Sequence, residues 1–92
     1  MKYVDIIEYT KLGIAKKVAE LISSGADVNE KDSDGNYAVI CAATNNDYEI
    51  MKLLLDAAAR INVTNAAGVT PLYYARKYNG SDMSNLLFHH FS

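Results

Sequence analysis

Apolar residues recur along this chain in short blocks at helical spacing, and polar, turn-forming stretches separate the blocks. In "DYEIMKLLLDAA" (47–58), Ile50, Met51, Leu54 and Leu55 fall on one face of a predicted helix, the spacing of a buried stripe. Asp47 stands just before it as an N-cap whose carboxylate can accept an orphan backbone N–H. Upstream, "AVICAATNN" reads as a short, mostly apolar helix, so the two form a pair. A second pair follows in "TPLYYARKYNG" and "SDMSNLLFHHF". Thr70 is placed to cap it, and Pro71 takes the first helical position, where its missing N–H costs nothing. A shorter pair, "VDIIEYTK" and "IAKKVAELISS", opens the chain. Gly25 follows it, a residue without Cβ that suits a left-handed helix end. Residues 58–70 form a long turn that carries "NAAG".

The pairs are copies of one unit. Shifted by 33, the sequence matches itself: Gly35 falls on Gly68, Asn29 on Asn62, Val28 on Ile61, Ala26 on Ala59, Ala42 on Ala75, and Leu21, Leu54 and Leu87 on one another. A fixed period of this size marks stacked units, each too small to bury its own apolar face alone.

The acidic "DSDG" within "NEKDSDGNYAVIC" (29–41) invites comparison with a calcium loop. With Gly35 at loop position 6, Glu30, Asp32 and Asp34 would be the first three ligands. Position 12, which must supply a bidentate Glu, is Cys41, and the stretch that follows is apolar. The repeat supplies the better reading, a turn.

"GADVN" (25–29), "GVTPLYYA" (68–75) and "YEIMKLLLDAAARIN" (48–62) together resemble the ankyrin repeat, over essentially the whole chain. The resemblance implies an all-α solenoid of stacked helix-turn-helix units joined by β-turn loops. It is slightly under three repeats long and forms a single domain over 1–92. An N-terminal cap repeat is expected over 1–29, an internal repeat over 30–62 and a C-terminal cap repeat over 63–92. Asp32 and Gly35, then Asn65 and Gly68, take the family's turn positions.

Several residues depart from the family's pattern. Tyr37-Ala38-Val39 replaces Thr-Pro-Leu, so the first helix of the second repeat loses a cap worth about 1 kcal/mol. Ala58 stands where Gly25 stands one repeat earlier, and a Cβ in a left-handed cap costs about 1–2 kcal/mol. Tyr73 replaces the family's His after "TPL", which puts that ring's usual hydrogen bond in question. Lys17 and Glu20 stand where the second repeat has Ile50 and Leu53, and Arg76 and Ser84 where it has Ala43 and Met51. Polar residues at these places suit end repeats. Phe88 and Phe91 either fold back on the last helix pair or form an exposed patch that meets a partner or a second copy.

Charge and chemistry narrow the function. The 92 residues carry a formal net charge of −2, with no basic stripe to attract phosphates, so nucleic acid is not an expected partner. One cysteine rules out an internal disulfide and fits a reducing compartment. Asp5 and Glu8 interrupt the N-terminus, which therefore lacks a signal-peptide apolar run. No apolar stretch reaches the length that a membrane helix requires. A cytoplasmic location is expected, without membrane association. The sequons at Asn62 and Asn79 are read as chance. No nucleophile elbow, phosphate loop or metalloprotease motif occurs. His89 and His90 are adjacent, point apart on a helix and lack further ligands, so no metal site is expected. Cys41, with no His nearby in sequence, reads as a core residue. Neither catalysis nor a cofactor is expected.

The resemblance implies binding through the turn tips and the concave face of the first helices. By position this surface comprises Tyr3, Lys11 and Leu12; Ser33, Asp34, Asn36, Thr44 and Asn45; and Ala66, Ala67, Val69, Lys77 and Tyr78. A non-catalytic module binding one protein partner is the first expectation. The Met1 start and cap-like end lead us to expect a nearly complete protein. Such a short protein would act by occlusion, as an inhibitor or immunity protein, with ion pairs from Asp32, Asp34 or Asp47. The alternative is a structural element that self-associates into a homo-oligomer through the Phe88 and Phe91 end.

Overall fold

The computed structural model describes residues 5–79 and 81–91. Among them are six α-helices and no strand. The helices are α1 (Asp5–Leu12), α2 (Ala15–Ser23), α3 (Ala38–Thr44), α4 (Tyr48–Asp56), α5 (Pro71–Tyr74) and α6 (Ser81–Phe91). Helices α1, α3 and α5 stack into one row, and α2, α4 and α6 into a second. The all-α solenoid that the resemblance implies is present.

Local chemistry explains where the helices begin and end. Asp47 caps α4 by accepting the Ile50 N–H on Oδ1 at 3.0 Å. Thr70 caps α5 by accepting the Tyr73 N–H at 3.2 Å, with Pro71 at the start of the helix. Helix α3 starts behind Tyr37 with no side-chain cap, as the loss of Thr and Pro predicts. Gly25, after α2, has φ +94°, and Ala58, after α4, has φ +69°. Ala58 therefore adopts the left-handed conformation despite its Cβ.

The third repeat departs from the pattern in its first helix. Where α3 runs to Thr44 as one α-helix, α5 gives way after Tyr74 to a π-helical turn, Ala75–Asn79.

One apolar core runs through both rows. Ala38 to Ala43 are all buried along α3, and the small side chains there let neighbouring helices approach closely. Ile50, Met51 and Leu54 of α4 are wholly buried, each worth about 1.5–3 kcal/mol by transfer from water. Among the described residues Thr10 is the one buried polar residue, and its hydroxyl donates to the Ile6 carbonyl at 2.7 Å.

Candidate binding face

The turns are fixed by a hydrogen-bond pattern that repeats 33 residues on. Asp32 Oδ1 accepts the N–H groups of Asp34 and Asn36, at 3.0 and 2.8 Å. Asn65 Oδ1 accepts those of Ala67 and Val69, both at 3.0 Å. In each turn the glycine N–H returns to the carbonyl of the first residue. Gly35 has φ +84°, and a Cβ there would lie 3.2 Å from the backbone nitrogen and Cβ of Ala66. The two turns therefore stack closely, tip to tip.

The tips Ser33, Asp34, Ala66 and Ala67 are exposed, whereas Asn36 and Val69 are half-buried at the turn bases. Lys11 on α1, Thr44 on α3 and Lys77 in the π-helical turn after α5 take the same sequence position in successive repeats, and all three are exposed. Leu12 is 62% exposed, a large apolar side chain in water beside Lys11. Tyr3 and the Tyr78 side chain lie outside the described residues.

A groove of about 280 Å³ brings Lys11, Asn36, Thr44 and Asn45 together with Ile40, Cys41, Asn65 and Tyr74. The last four were not among the residues expected from sequence. The Tyr74 hydroxyl accepts from Asn65 Nδ2 at 3.2 Å, which ties the third helix pair to its own turn. Tyr73, at the family's His position, instead lies half-exposed with its ring beneath the Lys77 ammonium, 5.6 Å from the ring centre.

Several polar side chains serve the scaffold itself. Asn45 Nδ2 donates to the Lys11 and Thr10 carbonyls, at 3.0 and 3.3 Å, closing the exposed carbonyl end of α1. The Asp32 carboxylate also accepts from the Asn36 amide and sits 3.9 Å from the Lys11 ammonium. Burial pushes its pKa up, but the hydrogen bonds from Asn36 and Asp34 and the Lys11 charge outweigh burial and hold it below the ordinary aspartate value. Of the three acids expected to reach a partner, Asp32 and Asp47 are thus engaged within the fold, and Asp34 is exposed at its tip.

Cys41 is buried, and burial pushes its thiol pKa up. The carboxylates of Asp32 and Glu8 add to the rise, and Lys11 opposes it. A protonated, buried thiol is a poor nucleophile. His89 and His90 are exposed. Among the described residues, no group of three or more His, Cys, Asp or Glu is placed to hold a metal ion, and no helix is long and apolar enough to cross a membrane.

The family model for ankyrin repeats (3 copies) matches residues 7–92. Palmitoyltransferase Hip14 of Drosophila melanogaster is 35% identical over 74 residues, which are 79% of this chain and 12% of that protein. A putative ankyrin repeat protein of Rickettsia bellii is 33% identical over 64 residues, 70% of this chain and 38% of that protein. Protein fem-1 homolog C of Homo sapiens is 49% identical over 47 residues, 51% of this chain and 8% of that protein. The chain spans well under half the length of each of these relatives. With its stacked helix pairs, repeated turns and a family match across nearly its full length, the chain belongs to the ankyrin repeat family.

Proposed function

We propose that this chain is a non-catalytic module that binds a protein partner across the face made by α1, α3, α5 and the turn tips. Ankyrin repeats are in general protein–protein interaction modules. The observation that carries the reading here is the exposed row Lys11, Thr44 and Lys77, flanked by Leu12 and by the tips Ser33, Asp34, Ala66 and Ala67. The backbone beneath these side chains is already held by the Asp32, Asn65 and Asn45 hydrogen bonds. Binding therefore orders little new chain, and preorganisation of this kind favours affinity.

A face this short buries on the order of 600–800 Å² per partner, the low end of specific interfaces. Such a module acts most simply by covering a site on its partner, as an inhibitor does. The test is a pull-down comparing wild type with a Thr44→Arg/Asp34→Arg variant whose fold is checked by circular dichroism. A partner retained by wild type and lost by the variant supports the face; equal capture by both sinks it.

A further inference from the structure

The amides that line the groove at Thr44 are oriented by the scaffold. Asn45 Nδ2 donates to the Thr10 and Lys11 carbonyls. Asn36 Nδ2 donates to the Asp32 carboxylate at 3.2 Å. Carbonyls and carboxylates only accept, so the chemistry fixes which end of each amide faces the scaffold. Neither Asn36 Oδ1 nor Asn45 Oδ1 makes a hydrogen bond among the described residues. No buried polar side-chain atom there lacks a partner, so the oxygen of half-buried Asn36 reaches water. Asn45 and Thr44 are exposed. The Thr44 hydroxyl donates to the Ile40 carbonyl at 2.8 Å and keeps lone pairs for an incoming donor. The groove thus presents three acceptor oxygens.

Size and charge narrow the occupant further. The volume of about 280 Å³ lies below the about 300–1,000 Å³ of small-molecule pockets and suits one long side chain. Ile40 and Cys41 give the lining an apolar strip, against which a methylene stem can lie. The half-buried Tyr74 adds an aromatic ring. The charges that act on Cys41 are those of Lys11, Asp32 and Glu8, one cation against two carboxylates. The Lys11 ammonium is 3.9 Å from the Asp32 carboxylate, and Lys77 lines a separate depression with Tyr73. One more positive charge in the groove brings the local set to balance. Phe88, half-exposed on α6 in the other row, takes no part in this groove, and the Phe91 side chain lies outside the described residues.

We infer that the protein partner places one arginine side chain in this groove, its guanidinium donating to the Asn36 and Asn45 oxygens and the Thr44 hydroxyl. The inference rests on the partner-binding reading of this face and names the chemistry that the face selects. A carboxylate would meet three acceptor oxygens and find only Lys11 to welcome it. A glutamine brings two donors and no charge. A lysine ammonium is compact and strongly hydrated, whereas a guanidinium spreads five donors in a plane that also lies flat against an aromatic ring.

The test selects binders to the wild-type protein from a displayed library of random peptides. Each binder is then measured against wild type, Thr44→Lys, Thr44→Glu and Thr44→Arg/Asp34→Arg, with folding of every variant checked by circular dichroism. The binders should share an arginine and be lost by the double variant. Changing that arginine to glutamine should weaken binding about tenfold or more, and changing it to lysine should weaken it as well. Thr44→Lys should weaken the arginine peptides and Thr44→Glu should tighten them. A peptide with glutamate in the arginine's place should bind Thr44→Lys better than wild type. Binders that the double variant loses but that share no arginine overturn the inference and leave the binding face standing. Binders held equally by wild type and the double variant overturn the face, and the inference with it. An arginine peptide indifferent to both charge changes at Thr44 overturns the inference by placing its arginine elsewhere. A selection that yields no binder also overturns it.

Discussion

Asn29 reaches across a repeat boundary to Arg60: its Oδ1 accepts the Arg60 backbone N–H at 2.7 Å, while its Nδ2 donates to the Ala58 carbonyl at 3.5 Å. One side chain thereby holds two strands of turn in register where α4 has just ended. The bonds are exposed, so their net worth is that of an ordinary hydrogen bond, about 0.5–1.5 kcal/mol. Asn29→Ala should lower stability by about 1 kcal/mol, a fall in melting temperature of about 4–8 °C for a domain of this size. Asn62→Ala, at the exposed matching position one repeat on, should change stability by less than about 0.5 kcal/mol. Equal losses from the two variants would contradict the cross-repeat role.

Ala58 supplies a prediction of opposite sign. At φ +69° its Cβ opposes the left-handed cap that Gly25 adopts freely at φ +94°. Replacing Ala58 with Gly relieves about 1–2 kcal/mol of strain and returns about 0.4–1 kcal/mol of chain entropy to the unfolded state. Ala58→Gly should therefore stabilise the protein by about 0.5–1 kcal/mol, read as a raised urea midpoint with an unchanged slope. A lowered midpoint would mean that the Ala58 methyl contributes packing that outweighs its strain.

Asp32 makes one turn sensitive to acid while its partner is not. Its folded pKa lies below the ordinary value, so the carboxylate's contribution is fully present above about pH 3.9. It is lost as pH falls from there through the lower folded value. Asn65 makes the same backbone hydrogen bonds with an amide that does not titrate in this range. Asp32→Asn should flatten the acid limb of stability against pH. An unchanged acid limb would place the sensitivity in other carboxylates.

Cys41 should be slow to react. Its raised pKa keeps the folded thiol protonated, and iodoacetamide requires the thiolate. Alkylation at neutral pH should track the unfolded fraction as urea is added. The linkage runs the other way from that of Asp32. Cys41's contribution to stability is complete below the unfolded thiol's value of about 8.5 and is lost as pH rises through its higher folded value. Fast alkylation without urea would show the helix opening locally.

Much of the fold was readable from the chain because its devices are local. The caps at Asp47 and Thr70 and the left-handed end at Gly25 each depend on residues within a few positions, and the 33-residue period exposes the stacking. The strain at Ala58 was readable by comparison with Gly25. The π-helical turn at Ala75–Asn79 was not, because "ARKYN" carries no residue that forbids an ordinary α-turn. Nor were the roles of Asn29 and Asn45, whose partners lie 31 and 34 residues away and depend on how repeats dock. The expected binding face named Asn36 and Asn45 by position alone. Packing decides that their amides are engaged in the scaffold, and that Tyr74 rather than Tyr73 bonds the turn.

The burial of α3 has a consequence for how the molecule comes apart. Its residues Ala38 to Ala43 are enclosed by a repeat on each side, whereas α1 and α5 each have one neighbouring first helix among the described residues. In a linear array, opening proceeds like a zip from whichever end has least to release. Amide protons of α3 should be the last to exchange with deuterium.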